Sequence, residues 1–541
     1  MNWFKTLISK PLSSTQFALV LTSIFLIFCN TAFFSAVGQI VDLHKFSDWV
    51  FILRLAIVAF AFTFIVLQIL VLPYINKPIA IFLLIGAASA SYFMNTYGIV
   101  IHQTMIQNMV ETDTKEASEL INGTLIAYLL ILGIAPSIAV AFGKVSFQPF
   151  LKETWNKVKT IAIALVVIAA VIGVSTAEFA SFFRNNKNVR QMLNPVNFVY
   201  AGLSYATHSN KSIVVKPIGE DAKLAARITN TAKPTLFILV VGETARADKF
   251  TLNGYNRPTT PLIAQQSVIN FPAFYSCGTE TAVSVPCMFS NLGREKYSDK
   301  KAKSQEGLLD VVQRAGYKVL WRDNNSGCKG TCARTLYEDM SNLKEPELCN
   351  DKECFDNILL HQLNEKIAPL EGNKLIVLHQ KGSHGPDYYK RVPESAYAFT
   401  PVCKVNKLQD CSQEELVNAF DNTIHYTDGF LNNTINWLKS QSANYNTAMI
   451  YLSDHGESLG EKGLYLHGMP YVFAPQEQKH VPFFFWFSPE FEATFQIKRD
   501  CLTEKSTKEF SHDNLFHTTL GLLGVETSLY NKELDITNGC R

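Results

Sequence analysis

The sequence predicts a chain made for two solvents: an N-terminal α-helical membrane domain of five transmembrane helices, then a C-terminal α/β/α sandwich. Three observations predict it. Long uncharged apolar runs dominate the first third of the 541 residues. From Thr235 onward, short apolar β-branched runs alternate with helical stretches. Ten of the eleven cysteines lie in that second part. The length excludes one ordinary domain. A net charge of +2 with no basic cluster excludes the Lys/Arg footprint of a nucleic-acid partner.

Five runs are long enough to cross a hydrocarbon core, which takes about 20 apolar residues in a helix. The first lies within Pro11–Val41 and carries no charge. The second is Val50–Ile75, with Arg54 near one end where it can snorkel. Pro78–Val100, Ile121–Gly143 and roughly Thr160–Ala177 follow. A cleaved signal peptide would account for only one such run.

Loop charge sets the orientation. Lys5, Lys10, Lys77, Lys144, Lys152, Lys157 and Lys159 belong on the cytoplasmic side. The alternate loops carry Asp42 and Asp48 in one, Glu111, Asp113, Glu116 and Glu119 in the other. An odd number of spans then puts the C-terminal domain outside the cytoplasm, although Arg184, Lys187 and Arg190 on that side run against the rule. Within the second outer loop, residues 101–122 read either as an amphipathic stretch on the outer leaflet or as a solvated loop. The expected divisions are 1–181 for the membrane domain, 182–234 for a polar connector and 235–541 for the catalytic domain.

Cys29 stands alone in the first span as a small apolar residue. The remaining ten fall mostly as close neighbours: Cys277/Cys287, Cys328/Cys332, Cys349/Cys354 and Cys403/Cys411, with Cys501 and Cys540 left over. Such density points to an oxidising compartment and five disulfides. A zinc module built from the C-x3-C and C-x4-C pairs is the competing reading, but neither has the usual C-x2-C spacing.

The apolar runs Leu236–Val241, Tyr317–Trp321, Leu375–Leu378, Ala448–Leu452 and Val481–Trp486 read as strands buried on both faces of a mainly parallel sheet. Ligands of such sheets gather beyond the carboxyl ends of the strands. Glu243 follows the first strand, Asp454 and His455 the fourth, and His384 lies in the segment after the third. His467 comes in a glycine-flanked loop. Two carboxylates and several imidazoles at one sheet edge suit zinc better than magnesium.

Residues 277–287, Cys-Gly-Thr-Glu-Thr-Ala-Val-Ser-Val-Pro-Cys, run into a helical pattern over Ala282–Leu292, with Thr281 at its start. A helix start favours a phosphate, and its field with a metal would activate a hydroxyl. A plain N-cap threonine suits the place equally well, and Thr279, Ser276 and Ser284 are rival nucleophiles.

Four stretches carry a specific resemblance: Val-Val-Gly-Glu-Thr-Ala-Arg (240–246), Ser-Cys-Gly-Thr-Glu-Thr-Ala-Val-Ser-Val-Pro-Cys-Met-Phe-Ser (276–290), Gly-Ser-His-Gly-Pro (382–386) and Ser-Asp-His-Gly-Glu-Ser-Leu-Gly (453–460). Together, and in this order, they resemble the lipid A phosphoethanolamine transferases of Gram-negative inner membranes, including the mobile polymyxin- and colistin-resistance members. The catalytic domains of that family are similar to alkaline phosphatases and sulfatases.

The resemblance implies a nucleophile at Thr281 and one tightly bound zinc held by Glu243, Thr281, Asp454 and His455. His384 and His467 would serve a second metal or the phosphoryl group, and Asn325 and Lys329 would contact the donor head group. Glu280 departs from the small residue expected between the two threonines. The implied partners are phosphatidylethanolamine as donor and lipid A as acceptor, with the chain acting as a multi-pass monomer of the bacterial inner membrane and its catalytic domain in the periplasm. Rival readings are a tethered phosphatase, sulfatase or phosphoglycerol transferase, and a catalytically dead lipid-binding protein. The C/S-x-P-x-R signature of a sulfatase is missing from the nucleophile loop.

Overall fold

A computed structural model describes residues 11–111, 114–186, 189–209, 214–229 and 231–541. Lys5, Lys10, Asp113 and Lys187, used above for orientation, lie outside them. The chain divides into two compact units: Met1–Ile106 with Ile121–Ser209, and Gln107–Leu120 with Asn210–Arg541.

In the first unit, four helices among the described residues are long and apolar enough to span a bilayer: α3 (Phe46–Leu70), α4 (Asn76–Tyr97), α5 (Gly123–Phe142) and α6 (Phe150–Val174). The run expected as one first span is instead two helices, α1 (Ser14–Phe28) and α2 (Thr31–Ile40), bent by 53°. The reason is Asn30. Its amide donates to Phe25 O at 3.0 Å and Asn194 O at 2.6 Å, while its Oδ1 accepts from Asn194 N at 2.9 Å. Asn194 also donates to Cys29 O and Ala87 O. An apolar medium tolerates a broken helix only where the freed polar groups find protein partners, and here they do. Gln68 similarly bridges Thr15 and Thr160, joining α3 to α1 and α6 at 3.0 Å each.

The second unit is a covered sheet. Its strands are β1 (Thr235–Gly242), β2 (Ile269–Asn270), β3 (Lys318–Asp323), β4 (Leu336–Asp339), β5 (Lys374–His379), β6 (Asn446–Ser453) and β7 (Phe483–Phe487), arranged β2-β7-β6-β1-β5-β3-β4. All pairings from β6 to β4 are parallel, whereas β7 runs antiparallel to β6 and β2. Every residue of β1 is buried, and its side chains alternate between two cores. Phe237, Leu239 and Val241 enter one with Val285, Trp321 and Phe516; Leu236, Ile238 and Val240 enter the other with Phe420, Ile424 and Leu431. Burial on both faces is what makes the run continuous in the sequence instead of alternating.

The second core is roofed by α8 (Gln413–Gln441). Ser412 opens it with a capping box, accepting from Glu415 N while the Glu415 carboxylate accepts from Ser412 N. The first core holds two shorter helices, α7 (Thr281–Met288) and α9 (Leu515–Leu522). Five disulfides are present: Cys277–Cys287, Cys328–Cys332, Cys349–Cys354, Cys403–Cys411 and Cys501–Cys540. Neighbours pair throughout, and the two cysteines left over join each other. Cys29 is a buried free thiol.

Candidate active site and metal centre

Parallel pairing in register brings the carboxyl ends of four strands together. Gly242 lies opposite Ser453, Val241 opposite His379, and His379 opposite Asp323. The residues that follow, Glu243 and Asp454 with His455, therefore emerge side by side. The three are buried, and one ligand atom from each lies within 4.8 Å of the others. Thr281, the first residue of α7, donates its hydroxyl to Glu243 Oε2 at 3.1 Å and Oε1 at 3.3 Å, and lies 3.3 Å from His455 Nε2. Glu280 holds the N-cap position without a side-chain capping bond, so Thr281 is not the cap.

Local bonds aim these groups. His455 Nδ1 donates to Gly456 O at 3.0 Å, which leaves the Nε2 lone pair facing the cluster. Glu243 Oε1 accepts from Thr244 Oγ1 at 2.6 Å, and Oε2 from Asn325 Nδ2 at 2.6 Å. Asp454 Oδ1 accepts from Thr244 N and His455 N. Its other oxygen, Oδ2, is buried with no hydrogen-bond partner and lies 3.4 Å from His455 Nε2. Burial, followed by the Glu243 charge, holds the Asp454 carboxyl above the usual carboxylate range. Burial also opposes ionisation of Glu243, but His455, His384 and His467 outweigh it and draw the group down. Two carboxylates and an imidazole lone pair converge beside the Thr281 hydroxyl, and the Asp454 Oδ2 that faces the imidazole meets no donor. That set fits a divalent cation with mixed O/N preference.

The loop after β5 approaches Glu243 closely because Gly382 lets it. Gly382 has φ +54°, and a Cβ there would stand 2.5 Å from Glu243 O. Asp356 pins this loop by accepting from Lys381 N, Gly382 N and Gln380 Nε2. The His384 ring lies 5.5 Å from that of His467, which lies 4.4 Å from that of His455. Glu457 accepts from His467 Nδ1 at 3.3 Å and, against the effect of burial, raises that imidazole to about 9.

Arg391 donates to His384 O at 2.8 Å and pairs with Glu353 and Glu119. Glu119 belongs to the segment Gln107–Leu120, which clusters with the catalytic unit. Glu119 thus meets a protein partner that neither the leaflet nor the solvated-loop reading of this segment foresaw. Lys329 donates to Ser326 O and Oγ, one loop beyond Asn325.

The rival nucleophiles have other duties. Thr279 donates to Met469 O, Ser276 to Gly278 O and Ser284 to Asp454 O. Several contributors escaped the sequence reading. Asp323 accepts from His379 Nδ1 at 2.8 Å and from Asn325 N at 2.9 Å, so it shapes the turn that presents Asn325. Burial alone would raise Asp323, yet His379 and the neighbouring donors hold it below its ordinary range. Glu457 stood inside a quoted motif without an assigned role and His379 just past the third apolar run; Arg391, Asp356 and His512 had no local signal.

A buried threonine hydroxyl faces two carboxylates and histidines at one sheet edge, in a domain of the sulfatase family, whose model matches residues 235–525. The model for phosphoethanolamine transferase EptA/EptB matches residues 59–210. Phosphoethanolamine transferase EptA of Escherichia coli K12 is 41% identical over 542 residues, covering 99% of each chain. Phosphatidylethanolamine transferase Mcr-1 from Escherichia coli is 38% identical, covering 97% of this chain and 96% of its own. The solved integral membrane lipooligosaccharide phosphoethanolamine transferase A from Neisseria meningitidis superposes with a TM-score of 0.94 at 36% identity, covering 98% of this chain and 100% of that one. The chain belongs to the phosphoethanolamine transferase family.

Proposed function

We propose that this chain transfers phosphoethanolamine from phosphatidylethanolamine to a phosphate of lipid A by way of a phosphothreonine at Thr281. The observation that carries the reading is the Thr281 hydroxyl, first residue of a helix, within 3.3 Å of both Glu243 and His455. In the first half-reaction Thr281 Oγ attacks phosphorus and the bond to the glycerol oxygen breaks, so that diacylglycerol leaves with a proton. In the second, a lipid A phosphate oxygen attacks the same phosphorus and Thr281 recovers its hydroxyl. Glu243 holds the Thr281 proton and so turns an oxygen lone pair toward the incoming group. The first backbone N–H groups of α7, with His384 and His467, face charge on the equatorial phosphoryl oxygens.

Glu243, Thr281, Asp454 and His455 would hold a zinc ion, and His384 and His467 would serve a second metal or the phosphoryl group. Bound there, zinc would lower the pKa of the threonine hydroxyl and offset charge on the phosphoryl group. Lys329, beyond Asn325, would meet the donor head group. The apolar helices and the five disulfides support placement in a bacterial inner membrane with the catalytic domain in the periplasm. A cationic ethanolamine on lipid A would weaken polymyxin binding by lowering its negative charge.

The test is intact-mass and peptide analysis of the full chain after incubation in phosphatidylethanolamine vesicles. A phosphoethanolamine adduct on Thr281 with matching diacylglycerol release is expected. Diacylglycerol released without any adduct would replace the covalent route by direct transfer.

A further inference from the structure

His512 lies in a short turn that opens α9, 231 positions beyond Thr281 in the numbering. Two interactions place it. The strand Phe510–Ser511 pairs with Phe274–Tyr275, immediately before the nucleophile loop. Ser511 and Asn514 then close a capping box around the turn. The imidazole is buried, at 1% exposure, and uses both nitrogens. Cys277 N donates to Nδ1 at 3.0 Å, and Nε2 lies 2.9 Å from Ser453 O. An Nδ1 that accepts from a backbone N–H carries no proton, so the ring proton sits on Nε2 and is donated to Ser453.

One side chain thereby joins the loop that carries Thr281 to the strand end that carries Asp454 and His455. Ser284 makes a second tie: its hydroxyl donates to Asp454 O and lies 3.3 Å from His512 Nδ1. Burial drives the imidazole down to about 3, so it stays neutral and keeps this tautomer at any physiological pH.

We propose that His512, seconded by Ser284, is a positioning residue for transfer, setting the distance between the Thr281 hydroxyl and the Asp454–His455 strand end. The inference rests on the function proposed above but concerns a residue that touches neither substrate nor metal. The two faces of the ring can be separated. An asparagine can reproduce the Nδ1 acceptor, and a glutamine can reproduce the Nε2 donor.

Full-length H512N and H512Q are compared with the parent chain by hydrogen exchange in detergent. H512Q should speed exchange in the peptides covering 276–284, and H512N in those covering 452–456. In phosphatidylethanolamine vesicles, H512Q should slow Thr281 adduct formation about 100-fold, as expected of a displacement near 1 Å. Its KM for the donor should change little. S284A should slow the step in the same direction by a smaller factor.

Equal exchange in both segments for both variants, or adduct formation at the parental rate in folded H512Q, overturns the proposal. If the parent chain itself forms no adduct, the covalent reading fails, and the exchange pattern still decides what His512 does.

Discussion

Thr281 owes its setting to three local facts: it is the first residue of α7, it follows a loop closed by Cys277–Cys287, and its hydroxyl faces Glu243. Thr281→Ala should abolish adduct and transfer while lowering stability by less than the roughly 1 kcal/mol typical of a lost N-cap, because the cap is Glu280. Thr281→Ser, which keeps the oxygen, should retain part of the activity. Thermal melts alongside turnover measurements check both, and a Thr281→Ala enzyme with robust turnover would refute a covalent role. Asp454→Ala removes the carboxylate whose Oδ2 is otherwise unpartnered. Metal analysis of the purified variant should show zinc lost together with rate, and full occupancy would refute the ligand assignment. Glu243, Asp454 and His455 stood out in the sequence because each sits just past an apolar run, whereas Thr281 at its helix start had three rivals and was singled out only by the family resemblance. His512 could not: its partner Cys277 is 235 residues away, and no local pattern announces that bond.

Among the elements, the loop after β5 shows how much of the site depends on buried anchors. Asp356, 4% exposed, accepts from two backbone N–H groups and from the side chains of Asn324 and Gln380. Asp356→Ala would strand those donors in a dry place, at a cost on the order of 3 kcal/mol. Denaturant titration should show that loss, and transfer should fall with it as His384 shifts; an unchanged midpoint would mean that water replaces the carboxylate. The strands β1, β3, β5, β6 and β7 were legible at this scale because burial on both faces leaves an uninterrupted apolar run, whereas the edge strands β2 and β4, only two and four residues long, were not. The break between α1 and α2 was not. Asn30 is one polar residue in an apolar stretch, and its meaning depends on Asn194, far along the chain.

For the molecule as a whole, covalent closure is concentrated in the catalytic unit. The longest bridge, Cys501–Cys540, spans 39 residues and in the chain-entropy model is worth about 4 kcal/mol. Expression in cells lacking periplasmic disulfide oxidation should reduce the folded protein recovered, and normal recovery with free thiols would contradict a stabilising role. Pairing of neighbours was readable from spacing, whereas the grouping of Gln107–Leu120 with the catalytic unit was not. Acidic residues in a loop between two apolar runs carry no local sign of which arginine they meet.

That arginine has a consequence for any shortened version of the protein. The Arg391 side chain is 1% exposed and is matched by Glu119 and Glu353, so a fragment starting at residue 214 would keep the cation and discard one of its two anions. Such a fragment would be altered as well as smaller: a buried guanidinium, still bonded to the carbonyl of His384, would need a replacement for the missing carboxylate, and solution anions could compete for the vacancy. Hydrogen exchange over residues 384–391 should then be faster in the fragment than in the full chain and should slow as a carboxylate salt is added, while Glu119→Gln in the full chain should reproduce the faster exchange. Affinities of head-group analogues measured on the severed domain would report a site whose histidine loop has lost one of its moorings.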